Sequence, residues 1–219
     1  MVKGIFFDID GTLLTEWPLI MTILPQVYRD ISKKLNVPIY KAREIFLQEI
    51  EKRRGTYEWH DWNFFFKMFE LPYRFEDFIE KYPHKIELYP GTIELLEDLS
   101  KRYVLGIITS GPKYQRKKLE VTGIIEYFDV IITRDDVKTV KPDPKIFIAA
   151  LEKARIKPRE AVMVGDNLEQ DILGAIALGM KGIWINKNGE TNFNVPYLNV
   201  RSISEVRKAM EVLENEEDI

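Results

Sequence analysis

The 219-residue chain contains no cysteine, which excludes a disulfide framework, a thiolate metal centre and a cysteine nucleophile. Histidine is nearly as scarce: only His60 and His84 are present, and without a second ligand at fixed spacing they do not make a zinc site. No stretch approaches the roughly 20 apolar residues a membrane helix needs. The first apolar run, from Ile5, is broken at once by Asp8 and Asp10, unlike a signal peptide. A strongly basic block is also missing, and a net charge of -3 with mixed signs gives no electrostatic footprint for nucleic acid. There is no internal repeat and no low-complexity linker. A soluble cytoplasmic protein is therefore expected. Abundant Lys and Glu with few Gln lean towards a heat-adapted source.

What is present suffices for a substantial core, since 45% of the residues are hydrophobic and the length allows one large domain or a core with a modest second module. The organising stretch is VKGIFFDIDGTLL, from Val2 to Leu14. Gly4 to Phe7 read as a strand buried on both faces of a parallel sheet. Asp8 and Asp10 stand two apart where that strand ends, so both carboxylates project from one side of an extended backbone. Gly11 and Thr12 then turn the chain. Ligands of open parallel α/β sheets bind at the carboxyl ends of the strands, which places this pair for chemistry.

From Glu16 to Tyr89 the pattern becomes helical. Ile20, Ile23, Leu24, Val27 and Ile31 recur at helical spacing up to Asn36-Val37-Pro38. Further helices are expected over Tyr40–Arg53, Trp59–Phe69 and Phe75–Lys81, closed by Gly55 and Pro83. Their rings, among them Trp59, Trp62, Phe65 and Phe66, read mainly as core, with an apolar underside left for a lid. His60 and His84 are expected to be exposed or hydrogen-bonded. Lys52-Arg53-Arg54 suit a helix C-terminus, and Gln115 to Lys118 read as a solvated helix face.

From Pro90 strands and helices alternate. Helices are expected over Thr92–Arg102, Lys113–Val121, Ile146–Lys153 and Ile172–Leu178, and strands over Tyr103–Ile108, Phe128–Ile132, Ala161–Val164 and Gly182–Ile185. A last helix over Ser202–Glu214 opens on a capping-box-like Ser202-Ile203-Ser204-Glu205 and frays into an acidic tail. This alternation predicts a doubly wound parallel α/β sheet. The expected division is a core of residues 1–15 and 90–219 with a four-helix cap of residues 16–89.

Three more polar groups fall at strand ends: Thr109-Ser110-Gly111 after the second, Lys141 in a VKPDP loop, and Asp166, Asn167 and Asp171 in GDNLEQD. With DIDGTLL, and in this order, they resemble the signatures of the haloacid-dehalogenase-like (HAD) hydrolase superfamily, from Val2 to about Ile185. The resemblance implies a Rossmann-like core and phosphoryl-transfer chemistry. It makes Asp8 the nucleophile that forms an aspartyl-phosphate and Asp10 the general acid/base, whose backbone carbonyl also binds metal. Thr109 and Lys141 match the second and third signatures. Asp166 matches the metal ligand of the fourth, with Asn167 and Asp171 supporting, and which aspartate binds directly stays open. Gly11, Thr12, Thr109, Ser110, Gly111 and Lys141 are the candidate phosphate-binding set. The branch that dehalogenates carbon compounds lacks the second aspartate, so Asp10 argues for phosphate esters.

The chemistry explains the set. A phosphate monoester is a dianion that repels a carboxylate nucleophile, so Mg²⁺ on oxygen ligands from Asp8 and Asp166 suits the site. Lys141 adds a second positive charge, and the Thr109 hydroxyl and nearby amides donate to the phosphate oxygens. The expected function is magnesium-dependent hydrolysis of a small phosphorylated metabolite. The alternatives are a sugar phosphomutase of the β-phosphoglucomutase type and a non-catalytic binding protein. Specificity is expected from the inner face of the cap and from residues beside Ser110, Gly111 and Lys113. Phosphoglycolate and sugar phosphates are plausible substrates by analogy. A monomer or weak dimer, with no nucleic-acid or membrane partner, completes the expectation.

Overall fold

A computed structural model describes residues 1–187, 189 and 197–215. The first strand, β1 (Gly4–Phe7), is buried along its whole length, and its side chains divide between two apolar layers. Ile5 and Phe7 enter one core with Leu105, Ile107, Val162 and Val164, while Phe6 enters another with Ile108, Ile132, Met163 and Phe147. A strand covered on both faces has no polar side, which is why its sequence does not alternate.

The chain then forms β2 (Leu14–Thr15) and four helices, α1 (Trp17–Leu35), α2 (Ile39–Glu51), α3 (Trp62–Met68) and α4 (Phe75–Lys81), before β3 (Glu87–Leu88). Helix α1 ends at Asn36, which takes the left-handed conformation at φ 51°. Helix α3 is shorter than expected. Asp61 caps it by accepting from the amides of Asn63 and Phe64, which leaves Trp59 and His60 in the preceding turn. The two crossings into and out of this segment pair with each other: Leu14 faces Leu88 and Thr15 faces Glu87 in an antiparallel ribbon. Two residues on each side are too few for sequence periodicity to reveal.

After β3 come α5 (Thr92–Leu99), β4 (Val104–Thr109), α6 (Gln115–Val121), β5 (Val130–Thr133), α7 (Arg134–Val137), α8 (Pro144–Ala154) and β6 (Ala161–Gly165). A wide π-helical turn over Leu168–Leu173 leads into α9 (Gly174–Ile176), then β7 (Lys181–Ile185), β8 (Leu198–Val200) and α10 (Val206–Asn215). The main sheet is a six-stranded Rossmann-like α/β sheet in the order β5-β4-β1-β6-β7-β8, and each of its pairings is parallel. The edge strand β8 went unread in the sequence because three residues carry no measurable alternation.

The capping box at Ser202 does not form. Glu205 accepts from the Arg201 amide at 3.1 Å, and the Ser202 hydroxyl pairs with that of Ser204 at 2.8 Å. The acidic tail lies largely outside the described residues. Among the described residues no helix is long and apolar enough to cross a membrane.

Candidate active site

The carboxyl ends of β1, β4 and β6 meet at one cavity of about 260 Å³. Asp8, Asp10, Thr109, Ser110, Gly111, Lys141, Asp166, Asn167 and Asp171 all line it, so nine of the sequence-derived candidates converge. Gly11 and Thr12 do not. They turn the chain behind Asp10, with the Gly11 amide donating to the Leu14 carbonyl and the Thr12 amide to Ile9. The Thr12 hydroxyl is buried without a hydrogen-bond partner. Gly11 still matters to the site: it has φ +88°, and a Cβ there would lie 2.1 Å from an Asp166 carboxylate oxygen.

Lys141 organises the floor. It is 2% exposed, and its ammonium donates to Asp8 Oδ1 and Asp171 Oδ1, each at 2.5 Å. Its amide donates to the Ser110 hydroxyl at 3.1 Å, tying the β4 loop to the Lys141 loop. Thr109 accepts from the Gly111 amide at 3.1 Å, which shapes the turn after β4. The second oxygen of Asp171 accepts from the Asn167 amide at 3.0 Å. Each Asp171 oxygen thus accepts one hydrogen bond, and the residue is 1% exposed because the π-helical turn carries it inward. Gly165 makes room for it, since a Cβ there would lie 2.3 Å from its Oδ2.

Carboxylate oxygens of Asp8, Asp166 and Asp171 lie within 4.8 Å of one another. Burial pushes the Asp8 carboxyl up to about 8, with Asp171 and Asp166 adding repulsion and Lys141 opposing it. Burial and then Asp171 raise Asp166 to about 6. Burial disfavours the Lys141 ammonium, but Asp171 and Asp8 outweigh it and hold the group charged. With all three carboxylates ionised, the one ammonium bonded to them leaves a deficit of positive charge. Oxygen donors with that deficit fit a hard divalent cation.

Two residues that the sequence reading left in solvent belong to this site. Lys118 is fully buried and Gln115 is 4% exposed, so within Gln115 to Lys118 only Arg116 and Lys117 meet solvent. Gln115 Nε2 donates to Asp10 Oδ2 at 2.8 Å, and the Lys118 ammonium binds both Asp10 oxygens and Glu16. A signal was available: Gln115, Lys118 and Leu119 share one helix face, and Leu119 marks that face as buried. His60 lines the cavity half-buried, and His84 is exposed. Burial first, then Lys141, Arg134 and Lys118, push the His60 imidazole down to about 4 against Asp10.

The haloacid dehalogenase-like hydrolase family matches residues 5–185. Glyceraldehyde 3-phosphate phosphatase of Pyrococcus furiosus is 29% identical over 98% of this chain and 94% of its own length. The Pyrococcus abyssi enzyme of the same name is 30% identical over 99% and 95%. The crystal structure of a HAD phosphatase from Thermococcus onnurineus superposes with a TM-score of 0.92, at 55% identity over 95% of this chain and 98% of that one. The chain thus belongs to the haloacid dehalogenase-like hydrolases and is a phosphatase of that family.

Proposed function

We propose that the protein hydrolyses a small phosphate monoester with magnesium, through an aspartyl-phosphate on Asp8. The observation that carries this reading is Lys141 at 2.5 Å from both Asp8 and Asp171, beside a cluster of carboxylates at the strand ends. Asp8 attacks phosphorus and the ester P–O bond breaks. The leaving oxygen takes a proton from Asp10. Water then attacks the aspartyl-phosphate and returns a proton to Asp10, freeing inorganic phosphate and restoring Asp8.

Asp8, Asp166 and the Asp10 backbone carbonyl would hold the magnesium, which supplies charge neutralisation between nucleophile and phosphoryl group. Asp171 serves as a support, since Lys141 and the Asn167 amide occupy its two oxygens. Asn167 contributes through that amide. Thr109, Ser110, Gly111 and Lys141 line the place for the transferring phosphoryl oxygens. Gly11 and Thr12 support the turn that carries Asp10.

Residues 16–89 act in this reading as a cap over a core of residues 1–15 and 90–219. Cap and core are joined by the Leu14/Leu88 ribbon and by the buried Arg134, which binds Asp61 at 2.5 Å and the Tyr57 carbonyl. Hydrolysis is favoured over a mutase cycle because the full-length relatives carry phosphatase names. The test is phosphate release from a panel of phosphorylated metabolites with magnesium or with chelator. Asp8→Asn is expected to lose about a thousandfold or more in rate, and chelation to abolish turnover. Full activity in Asp8→Asn would overturn the assignment.

A further inference from the structure

Beyond the phosphoryl cavity lies a second chamber of about 330 Å³, between α1, α2 and the turn before α3. It shares Asp10, His60 and Gln115 with the first, so the two meet where the ester oxygen would sit. Its walls are of another chemistry: Ile20, Leu24 and Ile50 supply hydrocarbon, Trp17 and Trp59 supply rings, and Phe46 and Trp62 are stacked on one another. The polar groups at the neck are largely occupied already. Asp10 is held by Gln115 and Lys118, and Glu16 accepts from Trp62 Nε1 at 3.0 Å and binds Lys118. Gln115 is one exception. Its Oε1 is buried without a hydrogen-bond partner, on a side chain that lines both chambers.

We infer that this chamber receives the alcohol half of the substrate, and that this half carries a flat aromatic or heteroaromatic ring with a hydrogen-bond donor near the ester. The inference rests on the phosphatase reading above and adds its substrate class. A chamber of this size and lining matches an organic ligand held mainly by apolar contact with few polar anchors. A polyhydroxylated or three-carbon alcohol would strip its hydroxyls of water against hydrocarbon. A ring would stack there, while its donor satisfies Gln115 Oε1.

The wild-type enzyme with magnesium is assayed on pyridoxamine 5′-phosphate, uridine 5′-monophosphate, glyceraldehyde 3-phosphate and glycerol 3-phosphate. The first two distinguish a ring one carbon from the ester from a ring beyond a ribose. At least one aromatic ester is expected to exceed both three-carbon esters in kcat/KM by about tenfold or more. Leu24→Trp, with Ile50→Trp as a second filling variant, is expected to reduce that preference about tenfold, chiefly through KM. A three-carbon ester equal to or better than both aromatic esters, or a preference unmoved by either filling variant, would overturn the inference. If that three-carbon activity is lost in Asp8→Asn, the phosphatase reading survives. No hydrolysis of any ester overturns both.

Discussion

The Lys118 ammonium stands 2.8 Å from each carboxylate oxygen of Asp10, wholly shielded from solvent, and bridges to Glu16 at the start of α1. Asp10 is thus held by a cation that arrives from a helix more than a hundred residues away. Lys118→Met would leave two neighbouring carboxylates without a counter-charge. A loss of about 3–5 kcal/mol is expected for a buried pair broken in this way, read from denaturant unfolding. Adding Glu16→Gln should recover part of it. With Asp10 as the proposed general acid, alkyl esters should slow about tenfold more than p-nitrophenyl phosphate, whose leaving group needs no proton. Equal slowing of both would mean that Lys118 serves the fold alone.

Arg134 is 2% exposed, binds Asp61 and the Tyr57 carbonyl, and lies 4.3 Å from the Tyr57 ring centroid. Tyr57 in turn donates to Asp135 at 2.9 Å. Removing the guanidinium in Arg134→Ala should release the 57–61 turn while the parallel sheet stays protected. Hydrogen exchange should show about tenfold faster amide exchange there and little change in β1 or β6. Unaltered exchange at 57–61 would count against this clamp.

Gly165→Ala tests how tightly the floor is built. Its methyl group would meet Asp171 carbons and oxygen at 2.3–2.4 Å, so Asp171 has to move and Lys141 with it. Overpacking of this kind costs about 1–3 kcal/mol. Turnover should fall about a hundredfold, because Lys141 would no longer be aimed at Asp8. A folded variant with normal kcat would show that the Lys141–Asp171 contact is dispensable.

His60 supplies a pH dependence of stability. In the unfolded chain it takes up a proton near pH 6.5, whereas in the folded protein it stays neutral down to about 4. Its contribution is therefore complete above pH 6.5 and is lost as the pH falls towards 4. For this half-buried ring the expected loss is about 1–3 kcal/mol. Denaturant titrations at pH 7 and pH 4.5 should show that His60→Gln removes that part of the acid destabilisation. An identical acid slope in wild type and variant would refute it.

Much of the active site was legible because it is local. Asp8, Asp10, Thr109 and the GDNLEQD segment each follow an apolar strand closely, Lys141 lies on a longer loop after β5, and a parallel sheet brings strand ends together by construction. Strand and helix order followed from apolar periodicity for the same reason. Short elements such as β2, β3 and β8 carried too few residues to show a period.

What the linear chain settled, then, was the family of chemistry and the order of its parts, since those depend on residue type and spacing. Tertiary packing alone decided which charges are buried and whom they face. It turned Lys118 inward to Asp10, engaged both oxygens of Asp171, and set a neutral His60 between a polar chamber and an apolar one. A lysine in a basic helix has the same sequence signature whether it meets water or a carboxylate. The choice is made by the desolvation and Coulomb energies of contacts that exist only once distant segments are packed.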